Sequence, residues 1–332
     1  MTTNLCVYAT SGWGIHDERW TEALERLGFT PRIVRLGIDA SDGNGLRALV
    51  AELSTGGVPI LAGPLDTVAR QLVGMPTRVV GLSWGFDIHQ MNDRRWLTAL
   101  DALVVDSHAT VKLAEQAGVQ PAAITFLPWG VDLGVFTANG PKANLTPFHV
   151  PTTARTVLSL RAHEALYRTA DIIEAFAHVS ARLPDLHLIV GHTGSLSELL
   201  RQQAADLGVA ERTHFIGKVS ERELPDLLRA CDVYVSASKV DGTSVTLLQA
   251  MACEASVVVS DTPGNRAWVV EGLTGDLFAT GDAEDLARAL ERELTRNDHE
   301  AGEMTTAAHQ LVAQEADWWA NLPRLAQALS GT

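Results

Sequence analysis

Residues 5–14 read Leu-Cys-Val-Tyr-Ala-Thr-Ser-Gly-Trp-Gly, and this stretch predicts the class of fold. The first part is an apolar run typical of a buried strand, and Ser11–Gly14 has the composition of a turn. Trp20, Leu24 and Leu27 then follow at helical spacing, which predicts one buried helix face. An apolar strand followed by such a helix indicates a parallel sheet covered on both faces.

The same alternation of strand and helix continues along the chain and predicts two α/β domains. The length of 332 residues agrees, since one domain takes roughly 150 residues. Further strands are predicted at Arg32–Leu36, Pro59–Ala62, Arg78–Leu82, Ala102–Asp106, Ile124–Leu127, Thr156–Leu160, Leu186–Val190, His214–Ile216, Asp232–Ser236 and Ser256–Ser260. Helices are predicted between most of them, for example at Ala170–Ala181 and Leu224–Ala230.

Residues 141–151 hold three prolines and little periodicity, which is typical of a linker. We therefore expect a Rossmann-like domain over 1–140, a linker over 141–153 and a second Rossmann-like domain over 154–300. A helical tail over 301–332 is expected to pack across both domains. Ligands of such sheets bind at the carboxyl ends of the strands, so a cleft between two facing sheets is the expected site.

Composition excludes several classes of protein. The chain has 26 basic and 40 acidic residues, a net charge of −14, which argues against a protein that coats nucleic acid or an anionic membrane. The three cysteines (Cys6, Cys231 and Cys253) predict neither a disulfide framework nor a Cys-rich zinc site. No apolar run reaches 18 residues and the N-terminus does not resemble a signal peptide, so a cytoplasmic protein without a transmembrane segment is expected.

Three segments that follow strands could bind a ligand. Gly12-x-Gly14 has the position of a phosphate-binding turn, although a plain tight turn fits as well. Arg161 and Arg168 flank a loop and could hold a diphosphate, or could be solvated surface charges. The segment from Asp241 to Gln249 opens a helix with Thr243 or Ser244 as the N-cap; it could bind hydroxyl groups around a diphosphate, or simply be a capped core helix.

Aromatic side chains occupy similar positions. Trp13, Trp84 and Trp129 each follow a strand of the first domain, where an indole suits the apolar face of a sugar but is more often structural. The histidines of this half (His16, His89 and His108) have no ligand partners at fixed spacing, so no metal site is predicted.

Several segments together resemble the retaining, nucleotide-sugar-dependent glycosyltransferases of the GT-B fold, the group that includes sucrose and glycogen synthase relatives. The resemblance extends from near Asp106 to near Leu286. It is carried by Leu127–Asp132, Ser159–Phe176, Phe215–Val219, Cys231–Ser236, Asp241–Ala252 and Val259–Arg266. The first domain matches only in outline.

The resemblance implies a hexosyltransferase that needs no metal and no cofactor beyond its nucleoside-diphosphate sugar. Asp241 and Arg161 would be the catalytic residues. Donor-binding residues would be Arg161, Arg168, Gly191, Gly217, Gly242, Thr243, Ser244, Val245 and Gln249. The acceptor would lie near Gly12, Gly14, His16, Trp84 and Asp87. The oligomeric state is not implied.

The chain departs from the family pattern at four positions. Leu166 stands near the place of a lysine, with Arg168 as a stand-in, and Gln249 replaces a glutamate. Glu254 stands where a glycine ends the helix, and Ala267 replaces an acidic residue. These departures keep open a catalytically weakened or non-catalytic relative that binds a sugar nucleotide or a partner protein. A nicotinamide-dependent oxidoreductase is the third hypothesis, disfavoured because Asp17 stands where the third glycine of the dinucleotide fingerprint would be.

Overall fold

The computed structural model describes residues 4–240 and 242–331, except for the side chains of residues 15 and 86. These residues form two compact units. The first unit comprises the chain up to Trp129 together with the chain from Trp318 onward, and the second comprises Gly130–Asp317.

The first unit is built on a parallel sheet with the strand order β2-β1-β3-β4-β5-β6. Its strands are β1 (Asn4–Thr10), β2 (Phe29–Arg35), β3 (Ile60–Ala62), β4 (Val79–Leu82), β5 (Ala102–Val105) and β6 (Ile124–Phe126). Its helices before residue 129 are α1 (Ile15–Arg26), α2 (Gly43–Leu53), α3 (Arg70–Leu72), α4 (Phe86–Gln90) and α5 (His108–Gln116). Single turns of helix lie at Leu65–Ala69, Arg95–Ala99 and Pro121–Ala123.

The second unit repeats this design with the strand order β12-β11-β10-β7-β8-β9. Its strands are β7 (Arg155–Ser159), β8 (Leu186–Gly191), β9 (Thr213–Gly217), β10 (Val233–Ser236), β11 (Ser256–Ser260) and β12 (Asp276–Phe278). Its helices are α6 (Thr169–Ser180), α7 (Ser197–Asp206), α8 (Leu224–Ala230), α9 (Val245–Ala252), α10 (Pro263–Arg266), α11 (Ala283–Leu294) and α12 (Asp298–Glu315). The last helix, α13 (Trp318–Ser330), returns to the first unit.

The predicted α/β class with two parallel sheets is confirmed, and every predicted strand is present with bounds at most three residues from the expected ones. The sequence analysis missed β12, because this strand begins with Asp276 and only Leu277 and Phe278 form an apolar run. Apolar residues are buried on both faces of each sheet, which explains why the strands do not alternate in polarity.

The compact units differ from the expected domain bounds at two places. Val131 donates its backbone N–H to the Ala316 carbonyl (2.8 Å), so the chain just after β6 packs with the second unit. The predicted tail, residues 301–332, is divided between the two units after α12. Ala308 and Val312 of α12 lie in the core of the second unit, whereas Trp318 of α13 is fully buried in the first.

Carboxylates hold the loops at the carboxyl edge of the first sheet. Asp17 in α1 accepts the N–H of Gly14 at the start of its own helix (2.9 Å) and the Tyr8 hydroxyl of β1 (2.9 Å). Asp106, directly after β5, accepts the Thr110 hydroxyl of α5 (3.1 Å). Burial raises the pKa of the Asp106 carboxyl from its ordinary value of 3.8 to about 6.

Helix α9 ends in a left-handed turn at the position where the sequence has Glu254. The Ala255 N–H bonds the Ala250 carbonyl (3.0 Å) and the Glu254 N–H bonds the Met251 carbonyl (3.1 Å), which is the Schellman arrangement. Glu254 itself has φ +56°, a conformation that favours glycine. The expected strain at this departure from the family pattern is therefore present.

Glu254→Gly should stabilise the second unit by about 1 kcal/mol, because glycine has no Cβ to clash in the left-handed conformation. The measurement is urea denaturation of the two proteins side by side. Glu254→Ala is the matched control, since it removes the charge but keeps the Cβ. An equal gain from alanine would show that charge, and not backbone strain, is responsible.

Asp106→Asn should remove a pH-dependent loss of stability. Because the folded state raises the pKa of this carboxyl to about 6, its protonated form stabilises the fold at low pH, and that contribution disappears as pH rises through about 6. A shift of this size corresponds to on the order of 3 kcal/mol. Unfolding free energies at pH values from 4 to 8 should therefore diverge in favour of the asparagine variant as pH rises, and parallel profiles would contradict the assignment.

Candidate functional site

The second unit places Arg161 against the start of α9. Arg161 follows β7, and Ser244 precedes α9 in the connection that follows β10. Because β7 and β10 are neighbours in a parallel sheet, both loops emerge at the same edge. The Arg161 Nη1 donates to the Ser244 Oγ (3.1 Å), and Ser244 is buried. A guanidinium group therefore lies beside a helix N-terminus, and both carry positive charge.

Ser244 is the N-cap of α9, as the sequence analysis allowed. Its hydroxyl makes no capping hydrogen bond to the helix and instead accepts from Arg161. The side chain is therefore used to position the arginine.

Tyr167 is a residue that sequence reasoning missed. Its ring lies under the Arg161 guanidinium, with 4.3 Å from Cζ to the ring centroid. Such a cation–π contact restricts the arginine without neutralising it. The only signal in the sequence was an aromatic residue between two arginines, close to the place where the family has a lysine.

Arg168 has its described contacts elsewhere. It precedes α6 with φ +48°, and its guanidinium makes a bidentate pair with Asp171 (2.5 and 2.9 Å). It also donates to the Gly281 carbonyl (3.4 Å). No described contact joins it to Arg161 or Ser244, so its role as a second cation at a diphosphate stays a prediction.

Gly191 and Gly217 end neighbouring strands of the second sheet. A Cβ on Gly191 would lie 2.6 Å from the Leu160 side chain, so a larger residue at this position would displace the side chain that precedes Arg161. The Nε2 of buried His163 donates to the Gly191 carbonyl (3.1 Å), and its Nδ1 makes a hydrogen bond with the Ser197 hydroxyl (2.9 Å), so that His163 connects the loops after β7 and β8. Burial lowers the pKa of His163. Gly217 has φ +75°.

The remaining donor candidates lie at or near the start of α9. Gly242 and Thr243 form the bend before it, Val245 is its first residue, and half-buried Gln249 lies one turn later on the same face. Asp241 lies outside the described residues.

In the first unit, the ring of His16 lies close to two tryptophan rings that the sequence analysis named. The His16 ring lies 4.7 Å from the Trp129 ring and 5.9 Å from the Trp84 ring, measured between centroids. Burial lowers the pKa of His16, which favours the neutral imidazole. Gly12 and Gly14 lie in the turn between β1 and α1, as expected, with Gly14 as the N-cap.

Asp87 lies in α4, the helix after β4, and both oxygens of its carboxylate accept hydrogen bonds from neighbouring residues. One oxygen accepts the Leu65 N–H (2.9 Å), and the other accepts the Ser83 hydroxyl (2.8 Å) and the N–H groups of Trp84 (3.1 Å) and Ile88 (2.7 Å). These bonds organise the loops after β3 and β4. The structure therefore gives Asp87 an evident structural role.

Asp106 is the acidic side chain at this edge that sequence reasoning missed. A Cβ on Gly85 would lie 2.5 Å from its Oδ2, and Gly85 has φ +76°, so glycine is required here on both counts. The available signal was a carboxylate at the end of an otherwise apolar strand prediction, Ala102–Asp106.

Within the part of the chain that the structure describes, no helix is both long enough and apolar enough to cross a membrane. Nor do the described residues include a group of three or more His, Cys, Asp or Glu side chains arranged to hold a metal ion.

Comparison with known proteins agrees with this architecture. The profile of the family described as glycosyl transferases group 1 matches residues 146–310. The phosphatidyl-myo-inositol mannosyltransferase of Mycolicibacterium smegmatis is 32% identical over 211 residues, which are 62% of this chain and 52% of that protein. A D-inositol 3-phosphate glycosyltransferase of Stackebrandtia nassauensis is 29% identical over 207 residues, 59% of this chain and 46% of that one. The chain thus spans about half the length of the curated relatives it matches.

Solved structures share the fold over the whole chain. A glycosyltransferase from Rickettsia africae has a TM-score of 0.83 at 14% identity, covering 100% of this chain and 99% of that one. Anabaena HepE in complex with UDP and glucose has a TM-score of 0.75 at 17% identity, covering 99% and 100%. The chain therefore has the GT-B fold, and its residues 146–310 match the family of glycosyl transferases group 1.

Proposed function

We propose that this protein is a glycosyltransferase that moves a hexose from a nucleoside-diphosphate sugar to an acceptor with retention of configuration. The observation that carries the proposal is the Arg161 guanidinium held on Ser244 at the N-terminus of α9. Two sources of positive charge meet there, at the carboxyl edge of a domain whose family transfers sugars. The relatives' names support a sugar transfer, and the donor sugar and the retention of configuration are proposed on the resemblance.

The chemistry would rest on stabilising the leaving group. As the bond between the anomeric carbon and the diphosphate oxygen breaks, negative charge develops on the diphosphate. Arg161 and the first N–H groups of α9 would receive that charge from fixed positions. Tyr167 and Ser244 restrain the guanidinium before substrate binds, so little ordering is left for the reaction itself.

The rest of the donor would lie along α9. Gln249 would bond the hydroxyl groups of the ribose, although an amide loses the charge-assisted part that a glutamate would supply, on the order of 1 kcal/mol. Asp241 would orient the hexose. Gly242, Thr243 and Val245 would bring backbone groups close to the donor.

The acceptor would bind the first unit near His16, Trp84 and the turn at Gly12–Gly14. The names of two relatives mention D-inositol 3-phosphate and phosphatidyl-myo-inositol.

A second candidate is a relative that binds a sugar nucleotide and transfers slowly or not at all. Gln249 in α9, the left-handed Glu254 after it and Ala267 at the end of α10 favour this candidate, because all three depart from the family pattern. The two candidates share the binding site and differ in turnover.

Arg161→Ala should lower turnover by about 100-fold or more, on the order of 3 kcal/mol of lost transition-state stabilisation. The same variant should lose most of the thermal shift that a nucleoside diphosphate causes. The screen uses UDP, GDP, dTDP and ADP, each with and without a sugar, since saturation at about 100 times Kd stabilises by about 2.7 kcal/mol.

Arg182→Ala is the matched control, because Arg182 forms an exposed pair with Glu291 in the same unit. It should retain both turnover and nucleotide binding. Equal effects of the two variants, or unchanged turnover in Arg161→Ala, would remove the diphosphate assignment.

Gln249→Glu should raise turnover if the protein is a weakened enzyme, because the carboxylate restores charge-assisted bonds to the ribose. Initial rates with the nucleotide sugar found in the screen provide the measurement. Gln310→Glu, an exposed position of α12, adds the same charge elsewhere. A rate that stays at background in the Gln249 variant, with nucleotide binding intact, would favour the non-catalytic candidate.

A further inference from the structure

The buried imidazole of His163 lies close to the proposed donor site along the chain, and the proposed chemistry gives it no role. His163 follows Arg161 by two residues in the loop after β7. The residue is only 1% exposed. A buried polar ring must find its hydrogen-bond partners inside the protein, so these partners show which segments the ring connects.

The hydrogen bonds of His163 determine which ring nitrogen carries the proton. Nε2 lies 3.1 Å from the Gly191 carbonyl oxygen, which can only accept, so Nε2 carries the hydrogen. Burial lowers the pKa of His163 from its ordinary value of 6.5, so the ring is neutral near pH 7. Nδ1 is then an acceptor, and the Ser197 hydroxyl donates to it (2.9 Å). The ring therefore connects its own loop to the end of β8 and to the start of α7.

Backbone and neighbouring contacts strengthen this connection. The His163 N–H donates to the Thr193 carbonyl (3.3 Å), and the His163 carbonyl accepts the Leu196 N–H (2.9 Å). The Glu164 carboxylate accepts the N–H (2.7 Å) and the hydroxyl (2.5 Å) of Ser195. We call this set of contacts, between residues 163–164 and 191–197, the loop junction.

The loop junction holds the near end of the loop, and other contacts hold its far end. The Leu166 carbonyl accepts the Lys239 N–H (2.9 Å), and the Tyr167 N–H donates to the Glu164 carbonyl (2.9 Å). The side-chain bonds of His163 are shielded from water, so water cannot replace them when they are lost. His163 is therefore the residue of the junction whose removal should free the loop most.

The segment after β8 is itself fixed to the end of β9. Gly191 and Gly217 are paired in the parallel ladder, and the His192 N–H donates to the Gly217 carbonyl. Gly191 and Gly217 are predicted donor-binding residues, as is Arg161. Through His163, the ends of three neighbouring strands that are predicted to contact the donor are thus joined.

We infer that His163 is a positioning residue for the proposed transfer, because it holds the loop of Arg161 in place beside the ends of β8 and β9. The inference rests on the proposed function and assigns no contact between His163 and the donor. The imidazole acts through Arg161. With the loop held, the guanidinium meets the leaving diphosphate without further ordering, which is the source of the rate advantage.

Two substitutions separate hydrogen bonding from packing. His163→Phe keeps a flat ring and loses both side-chain bonds, whereas His163→Gln keeps an amide nitrogen that can donate to the Gly191 carbonyl. We expect kcat/KM for the nucleotide sugar to fall about ten-fold in the phenylalanine variant, which is about 1.4 kcal/mol, and to stay within about three-fold in the glutamine variant. His299→Phe, at an exposed position of α12, is the matched control and should leave kcat/KM unchanged.

A double-mutant cycle tests whether the effect passes through Arg161. In a protein that already carries Arg161→Ala, adding His163→Phe should lower kcat/KM by less than about two-fold, since the residue that it positions is gone. A ring that only supports the fold would lower kcat/KM by the same factor in both backgrounds, which would overturn the inference. Equal losses in the phenylalanine and glutamine variants, or no loss in either, would also overturn it.

Hydrogen–deuterium exchange measured by mass spectrometry tests the loop junction without any substrate. His163→Phe should raise the amide exchange rates of segments 161–168 and 191–197 by at least about ten-fold, and His163→Gln should resemble the wild-type protein. Should the phenylalanine variant not fold, Ser197→Ala provides the second measurement. It removes the partner of Nδ1 and should raise exchange in the same two segments.

The nucleotide screen separates this inference from the proposed function. If no nucleotide binds the wild-type protein, the proposed function is lost. Faster exchange of segment 161–168 in the phenylalanine variant would then still show that His163 holds the loop of Arg161. Unchanged exchange in that segment would reject the inference, whatever the screen gives.

Discussion

Parallel pairing of the strands is the constraint on which the rest of this structure depends. Neighbouring strands such as β7 and β10 run in the same direction, so each must be followed by a connection that crosses back over the sheet. Those connections are mostly helices, and they cover both faces of each sheet. Every loop that follows a strand therefore emerges at one edge, and the polar and aromatic candidates are concentrated there.

The side chains at the carboxyl edge of the sheet differ between the two units. In the second unit, the edge carries an arginine restrained by Tyr167 and Ser244 at a helix N-terminus. In the first unit, carboxylates such as Asp17 and Asp106 lie at the helix starts and accept hydrogen bonds from neighbouring residues. A positively charged edge suits the diphosphate of the proposed donor. The assignment of the donor to the second unit follows from this charge.

The departures from the family pattern have structural consequences that differ from one another. Glu254 retains the Schellman hydrogen bonds of α9 and adopts the left-handed conformation at a cost of about 1 kcal/mol, so it affects stability and leaves the helix in place. The Arg168 guanidinium donates to the Asp171 carboxylate and to the Gly281 carbonyl. Gln249 lies on the face of α9 that would contact the proposed donor, so among these departures it bears most directly on the proposed transfer.

Local patterns in the sequence determined the class of fold, the order of the strands along the chain and the positions of Arg161, Ser244 and His16 just after strands. Apolar runs and helical spacing depend only on neighbouring residues, and for that reason they can be read without a structure. Arg161 and Ser244 are 83 residues apart, so their hydrogen bond arises only when β7 and β10 pair. Tertiary structure alone also decided that Asp87 is occupied by its neighbours and that Asp106 lies against Gly85. The reason is physical: which partner a polar side chain meets depends on contacts between distant segments, and these form only when the sheet assembles.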